Sequence, residues 1–297
     1  MKNYFYSALA MIVLAGCAGS EIDEVVDNGQ PVAIALKAGV QTTSVVSRAP
    51  ITGSATFKPT IMGWNVATEP GAVAPDWATT TNEEIAGDAT NVGITLLAPQ
   101  YYQADGSKTY MKAFYAEGAT INANAWKYDF TNTDGQKDVL MAAAISGDKN
   151  TAASGFAFTH PLMQLKFKLV AGDGFPDDVK VTSMTIKGAQ LPIGVDMSDN
   201  TVTYAAAAAL AVPGAADSPI STQPTAGNPV MGKPFTGKTF TMEIVTSEKT
   251  YPNVTVTLDD AIGAGVAYTV TLTFKEKISA TASVSEWTDG TGSGTVE

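Results

Sequence analysis

From Pro31 the chain alternates. Val32, Ile34, Leu36, Ala38 and Val40 fall on one face of an extended backbone, and Ala33, Ala35, Lys37 and Gly39 fall on the other. A period of two over nine residues marks a half-buried β-strand. The same alternation returns at Met62, Trp64 and Val66, inside a strand expected over Thr60–Val66. It is cleanest at Leu165, Phe167 and Leu169, with Lys166 and Lys168 turned the other way. Further strands are expected over Val92–Leu97, Thr109–Ala116, Trp126–Phe130, Lys137–Ile145, Val179–Ile186 and Val195–Tyr204, and then over Thr239–Val245, Val254–Leu258, Tyr268–Phe274 and Ile278–Val284. The phase slips between Val181 and Met184, which predicts a bulge. Five alanines at Ala205–Ala209 allow one turn of helix, but Pro213, Pro219 and Pro224 stop a long one. With many β-branched residues and few amphipathic helical windows, the chain reads as all-β.

Turn residues cut this pattern into units. Glu69-Pro70-Gly71, Ala104-Asp105-Gly106, Asp134-Gly135 and Ser146-Gly147-Asp148 separate strands, and the two Asp-Gly pairs read as hairpin turns. The stretch Asp148–Gly155 has no apolar period and is the expected domain boundary. Residues 49–155 then form an N-terminal β domain, and residues 156–297 a C-terminal one that opens on the strand-rich run Phe156–Leu169. Beyond Trp287 the sequence TDGTGSGTVE is polar and glycine-rich, a tail rather than a strand.

The first forty-eight residues read differently. A lysine at position 2 precedes an apolar run from Phe5 to Ala15, too short for a permanent membrane span. The run ends at Leu14-Ala15-Gly16-Cys17, which resembles a bacterial lipobox, and Cys17 is the single cysteine of the chain. Residues 1–17 are therefore expected to be a lipoprotein signal peptide. Lipid on Cys17 anchors a protein to a membrane without spanning it. Residues 18–48 follow as a tether and a removable strand. The tether carries Glu21, Asp23, Glu24 and Asp27 and resembles the surface-export signal of Bacteroidales lipoproteins. The strand has Val32, Ile34, Leu36 and Val40 as its buried face. At its end stands Arg48, the one arginine beside seventeen lysines, so an arginine-specific protease cuts this chain once, between Arg48 and Ala49.

Charge and composition exclude several functions. A net charge of -11 opposes nucleic acid, whose phosphates need a basic face. One cysteine leaves no disulfide framework, and one histidine with it leaves no ordinary zinc site. No metal or cofactor is expected. His160, ahead of Pro161, has no nucleophile nominated by the sequence and is expected to be a hydrogen-bonded histidine at the domain junction. The acid pairs Glu83-Glu84, Asp177-Asp178 and Asp259-Asp260 cannot act together as glycosidase carboxylates, because neighbours on a strand face opposite ways and the Asp pairs sit at turns. Asn132–Asp138 has calcium-loop spacing at its start but lacks the closing glutamate of an EF-hand, so it reads as a polar turn. Among the four tryptophans, Trp64 is in phase with a core strand. Trp77, in a proline-rich loop, is the candidate aromatic platform for a ligand.

Together the lipobox, the alternating strand, Ser47-Arg48-Ala49-Pro50 and the strand Phe158-x-His160-x-Leu162-x-x-Leu165-x-Phe167 resemble the fimbrillin family of Bacteroidales, the type V pilins. That resemblance runs over essentially the whole chain. It implies two tandem transthyretin-like β-sandwiches and a structural, non-catalytic role. Its further implications are export as an outer-membrane lipoprotein, cleavage after Arg48 at the cell surface, and assembly with other pilin subunits by donor-strand exchange. The donor segment is expected at Ile278–Val284 and the tail beyond it. A second reading is a surface lipoprotein that binds a glycan, or another host or bacterial surface ligand, through sandwich loops.

Overall fold

The computed structural model describes residues 30–41, 51, 53–122, 126–222, 225–226, 228–259, 261–275 and 279–286. Cys17, Arg48, Ala49, Trp287 and the glycine-rich tail lie outside the described residues. Among those described, twenty-three strands and no helix occur, and the protein is all-β. The first eleven strands are β1 (Leu36–Val40), β2 (Thr56–Phe57), β3 (Thr60–Asn65), β4 (Trp77–Thr80), β5 (Ile85–Ala86), β6 (Val92–Ile94), β7 (Thr109–Ala116), β8 (Thr120–Ile121), β9 (Lys127–Asp129), β10 (Val139–Gly147) and β11 (Phe156–Thr159).

Seven of them form one sheet in the order β4-β3-β7-β10-β11-β1-β6. Its two outer strands meet again. Thr81 bridges to Leu96, Leu97 N–H donates to the Thr80 carbonyl at 2.8 Å, and Asn82 N–H donates to the Thr95 carbonyl at 2.8 Å. The sheet therefore curls into a barrel, which removes exposed edges. Its interior holds Leu36, Ala38 and Val40 with Ile61, Met111, Leu140 and Phe158. The short β2–β5 pair adds Phe57 and Ile85 to that core, with Phe57 edge-on to Phe158 at 5.3 Å.

The remaining strands are β12 (Met163–Ala171), β13 (Lys180–Ala189), β14 (Pro192–Asp196), β15 (Thr201–Tyr204), β16 (Ala208–Ala211), β17 (Ser218–Pro219), β18 (Thr225–Ala226), β19 (Val230–Gly232), β20 (Thr239–Thr246), β21 (Thr250–Thr257), β22 (Val266–Phe274) and β23 (Ser279–Glu286). All but β14 and β15 build a sandwich of two sheets, β18-β12-β22-β23 with β19 beside β12 and β16-β13-β20-β21 with β17 beside β13, around one core. Leu165, Phe167 and Leu169 of β12 are buried in it, as their phase predicts, and β12 runs parallel to β22 over eight residues. The slip expected near Val181 is a register shift between Val181 and Ser183.

Three local expectations change. The alanine run forms no helical turn: Ala208–Ala211 pairs with Thr185–Ala189, where β13 supplies the partners its backbone groups require. Val195–Tyr204 is not one strand but two, β14 and β15, folded back at Asn200, whose left-handed φ of 59° suits a turn. The two Asp-Gly turns form, with Gly106 and Gly135 at φ 77° and 72°, but neither joins two strands that pair with each other. Asp134-Gly135 instead docks on the second half, where Met231 N–H donates to the Gly135 carbonyl at 2.6 Å.

A fourth sheet, β15-β14-β9-β8, takes strands from both sides of position 160. β9 pairs with β14 at Tyr128↔Val195, and Lys127 meets Asp196 at 2.7 Å. Between this sheet and the outer face of the barrel lies a second apolar layer that includes Trp64, Phe114, Tyr128, Val195 and Met197. Lys112 pins the layer. It is 2 % exposed, and its ammonium donates to the carbonyls of Pro70, Met197 and Ser198 at 3.1, 2.9 and 3.2 Å. A buried ammonium is tolerated only when its protons are bonded, and here three carbonyls take them.

Candidate functional site

The stretch that organises the site is the alternating one at the start of the described chain. β1 occupies the sixth place in the barrel, between β11 and β6. It runs parallel to β11, with Ala38, Gly39 and Val40 against Phe156, Ala157 and Phe158. On its other side it runs antiparallel to β6, with Leu36, Lys37 and Ala38 against Ile94, Gly93 and Val92. The hydrogen bonding reaches past both ends: Ile34 N–H donates to Gln100, Tyr102 N–H to the Val32 carbonyl, and Gln41 N–H to Phe158, each at 2.8–2.9 Å.

The predicted face is the buried one. Ile34, Leu36 and Val40 are 7, 3 and 3 % exposed, and Ala38 joins them at 1 %. Val32 departs from the expectation. It is 42 % exposed although its carbonyl still takes the Tyr102 N–H, so the buried face begins at Ile34. Three large aliphatic side chains at ~1.5–3 kcal/mol each give about 5–9 kcal/mol for the face, an upper bound because unfolded chains already bury some of this area.

Residues 42–50 carry Arg48 and Ala49, and the structure fixes what flanks them. Gln41 ends the β1 lane. Ile51 N–H donates to Asp138 Oδ2 at 2.8 Å. The same carboxylate accepts Val139 N–H at 2.8 Å and contacts His160 Nδ1 at 3.0 Å. Both Asp138 and His160 are 6 % exposed. His160 therefore sits as a hydrogen-bonded residue where the chain passes from β11 to β12. The sequence offered no sign of its partner, because Asp138 lies 22 residues away inside what reads as a polar turn. Phe156–Thr159, grouped with the second half by the sequence pattern, pairs instead with β10 and β1 in the barrel. The break falls at His160-Pro161, since proline lacks the N–H that a continuous ladder needs.

Other candidates resolve as packing. Trp77 is the first residue of β4 and lies flat on Gly63, where a Cβ would fall 2.0 Å from the indole. It is half-buried and packs against the barrel core from strand β4 rather than from a loop. Trp64 is 1 % exposed and donates its indole N–H to Val73. Glu83 and Glu84 point to different partners: Glu83 accepts Thr95 N–H and Glu84 accepts the Thr56 hydroxyl. Asn132 closes its own turn by accepting Gly135 N–H at 3.1 Å. In the shared sheet, burial opposes ionisation of Asp196. Hydrogen bonds from Lys127 and Ser198 outweigh it and hold the carboxyl below its ordinary range, and the same bond raises Lys127.

A cavity of about 1030 Å³ opens where the β1 lane ends. It is lined by Gly39–Gln41, Thr90 and Asn91 on one side and by Thr159, His160, Ala264 and Gly265 on the other. Among the described residues the arrangement brings together no cluster of reacting groups. It offers a strand in a groove, with the chain leaving the groove at one end.

A model of the fimbrillin-like family matches residues 37–287. No curated protein sequence matches the chain. Among solved structures, a candidate cell adhesion protein of Bacteroides uniformis is similar over 89 % of this chain and 100 % of its own, with a TM-score of 0.59 at 19 % identity. A fimbrial protein of Bacteroides vulgatus is similar over 86 % and 99 %, with a TM-score of 0.50 at 15 % identity. A protein of Bacteroides thetaiotaomicron described as a candidate polysaccharide-binding protein is similar over 90 % and 98 %, with a TM-score of 0.54 at 9 % identity.

Proposed function

The chain belongs to the fimbrillin-like family, and from that premise we propose that it is a structural subunit of a cell-surface fimbria, assembled by exchange of the β1 strand. The observation that carries the reading is the placement of β1. It fills a lane between two barrel strands, and its chain continues directly into the stretch that holds the unique arginine. In this reading the two halves are the family's tandem transthyretin-like domains, residues 1–17 direct export, and Cys17 carries the lipid that anchors the precursor to the outer membrane. An arginine-specific protease then cuts between Arg48 and Ala49. The role is mechanical and needs no cofactor.

Cleavage does not by itself eject the strand. The apolar face of β1 and both its ladders lie upstream of Arg48, and Ile51 downstream stays tied to Asp138. Departure becomes favourable when an equivalent strand from a second subunit takes the lane, by strand addition to an open sheet. β23 is the proposed donor. The experiment is to mix Arg-cleaved protein with a second subunit and run the product unboiled on a denaturing gel. A ladder that appears only after cleavage supports the reading, and monomer under every condition contradicts it. Glycan binding through loops is the second reading. Its aromatic candidate, Trp77, is a half-buried residue of strand β4 rather than of a loop, and the reading otherwise rests on the likeness to the Bacteroides thetaiotaomicron protein.

A further inference from the structure

β1 is held by more than its two ladders. Gly39 faces outward, away from the core that Ala38 and Val40 enter, yet it is buried. What covers it is backbone. A Cβ on Gly39 would lie 2.6 Å from Asn91 N, 2.9 Å from the Ala89 carbonyl oxygen and 3.1 Å from Thr90 Cα. Val40 N–H donates to that same Ala89 carbonyl at 2.8 Å. The segment Ala89–Asn91 thus crosses the outer face of the strand, and Asn91 turns it into β6 with a left-handed φ of 58°, a conformation that costs most side chains energy.

We propose that Ala89–Asn91 is a strap that locks β1 in its lane, so that strand exchange requires the strap to lift first. Inward movement of β1 is blocked by the packed core. Outward movement is blocked at Gly39 by the strap. Sliding along the lane is blocked too, because the outward neighbours Lys37 and Gln41 carry side chains on either side of a gap that admits none. The strap has somewhere to go: Thr90 and Asn91 border the cavity at the end of the lane. The strap is therefore a kinetic control on release, separate from the apolar face that sets the strand's affinity.

The role of the strap in assembly rests on the proposed function, but the strap itself is tested without any second subunit. The full chain is cut with an arginine-specific protease and mixed with a fluorescent synthetic peptide of Pro31–Arg48, its own strand. Uptake of label is followed by anisotropy. Gly39→Ala places a Cβ against the strap backbone and leaves the apolar face and the cleavage site alone. Asn91→Val leaves β1 untouched and disfavours the left-handed turn, which keeps the test open if Gly39→Ala folds poorly. Both variants are expected to exchange at least about tenfold faster than the unaltered protein, the size that overpacking at such a contact implies. Hydrogen exchange at residues 86–94 should rise in the uncleaved variants. Exchange at the unaltered rate in the variants, or no uptake by any of them, overturns the strap. Faster exchange in protein that never polymerises overturns the assembly reading instead and leaves the strap standing.

Discussion

β1 and β23 are both alternating strands, and the fold holds them in opposite ways. β1 lies inside a closed barrel with a neighbour on each side, but each ladder is short: three residue pairs with β11 and three with β6. Its hold comes from Ile34, Leu36 and Val40 in the core and from the crossing at Gly39. β23 lies at the end of its sheet with one neighbour, β22, along eight residue pairs from Thr273↔Ser279 to Val266↔Glu286. It is held by a long ladder, with Ala280 buried in the sandwich core. The difference separates two tasks. A strand whose energy lies in large side chains leaves behind a shaped groove that another strand can read. A strand at a sheet edge gives up a single ladder when it leaves, and an edge is where strand pairing between molecules begins.

The comparison breaks most sharply at Leu36. Leu36→Asp puts an unpaired charge in the barrel interior and is expected to cost the uncleaved protein about 3–5 kcal/mol in urea unfolding. Thr281→Asp, at a half-buried position of β23, is expected to cost less than about 1 kcal/mol. Equal losses at the two sites would mean that the strands are held alike.

Next in size is the joint between the halves. Lys112→Met removes the ammonium and leaves the carbonyls of Pro70, Met197 and Ser198 unpaired, at about 1–3 kcal/mol for each group that water cannot reach. Calorimetry is expected to show the barrel and the sandwich melting together in the native protein and separately, the barrel first, in the variant. A single unshifted transition would show that the shared sheet does not need the pin.

Much of β1 and β12 was legible because alternation over five or more residues overrides local noise, and β7 was expected at the residues where it occurs. The joint was not legible. β9 falls inside the strand expected over Trp126–Phe130, and β15 with the end of β14 inside that expected over Val195–Tyr204, but the two residues of β8 and the pairing of β9 with β14 across the midpoint of the chain leave no local sign. Lys112 carries no sign of burial in the sequence of Thr109–Ala116. It is buried because that strand is covered on both faces, by the barrel core and by the layer under the shared sheet. The Phe156–Leu169 run hides a change of half at His160-Pro161, and proline was the visible mark. The unique arginine at position 48 is visible from composition alone, and its cleavage stands as a proposal.

Smaller effects sharpen the picture. Asp138→Asn weakens the bonds to Ile51 N–H and His160, with an expected loss of about 1.5–3 kcal/mol and faster amide exchange at Ile51. Unchanged exchange there would mean that Asp138 does not anchor the chain beyond the cut. The smallest effect is the pH dependence of Lys127 with Asp196. The Asp196 carboxyl lies below its ordinary 3.8, so its contribution is present above that value and is lost as pH falls through the lowered one. The Lys127 ammonium lies above its ordinary 10.5, so its contribution is present below that value and is lost as pH rises through the raised one. Lys127→Met should flatten the acid limb of stability below the ordinary carboxyl value of 3.8, and an unchanged limb would assign it to other carboxylates.

The most direct test asks where the strand goes after the cut. Protein cleaved at Arg48 is passed through a size-exclusion column, and the retained chains are identified by mass spectrometry. A synthetic peptide covering Ile278–Glu297 is then added and the column repeated. The account predicts that the N-terminal fragment stays bound after cleavage, and that the peptide displaces it and takes its place in the complex. Loss of the fragment on cleavage alone, or its retention whatever peptide is added, would contradict exchange at the β1 lane.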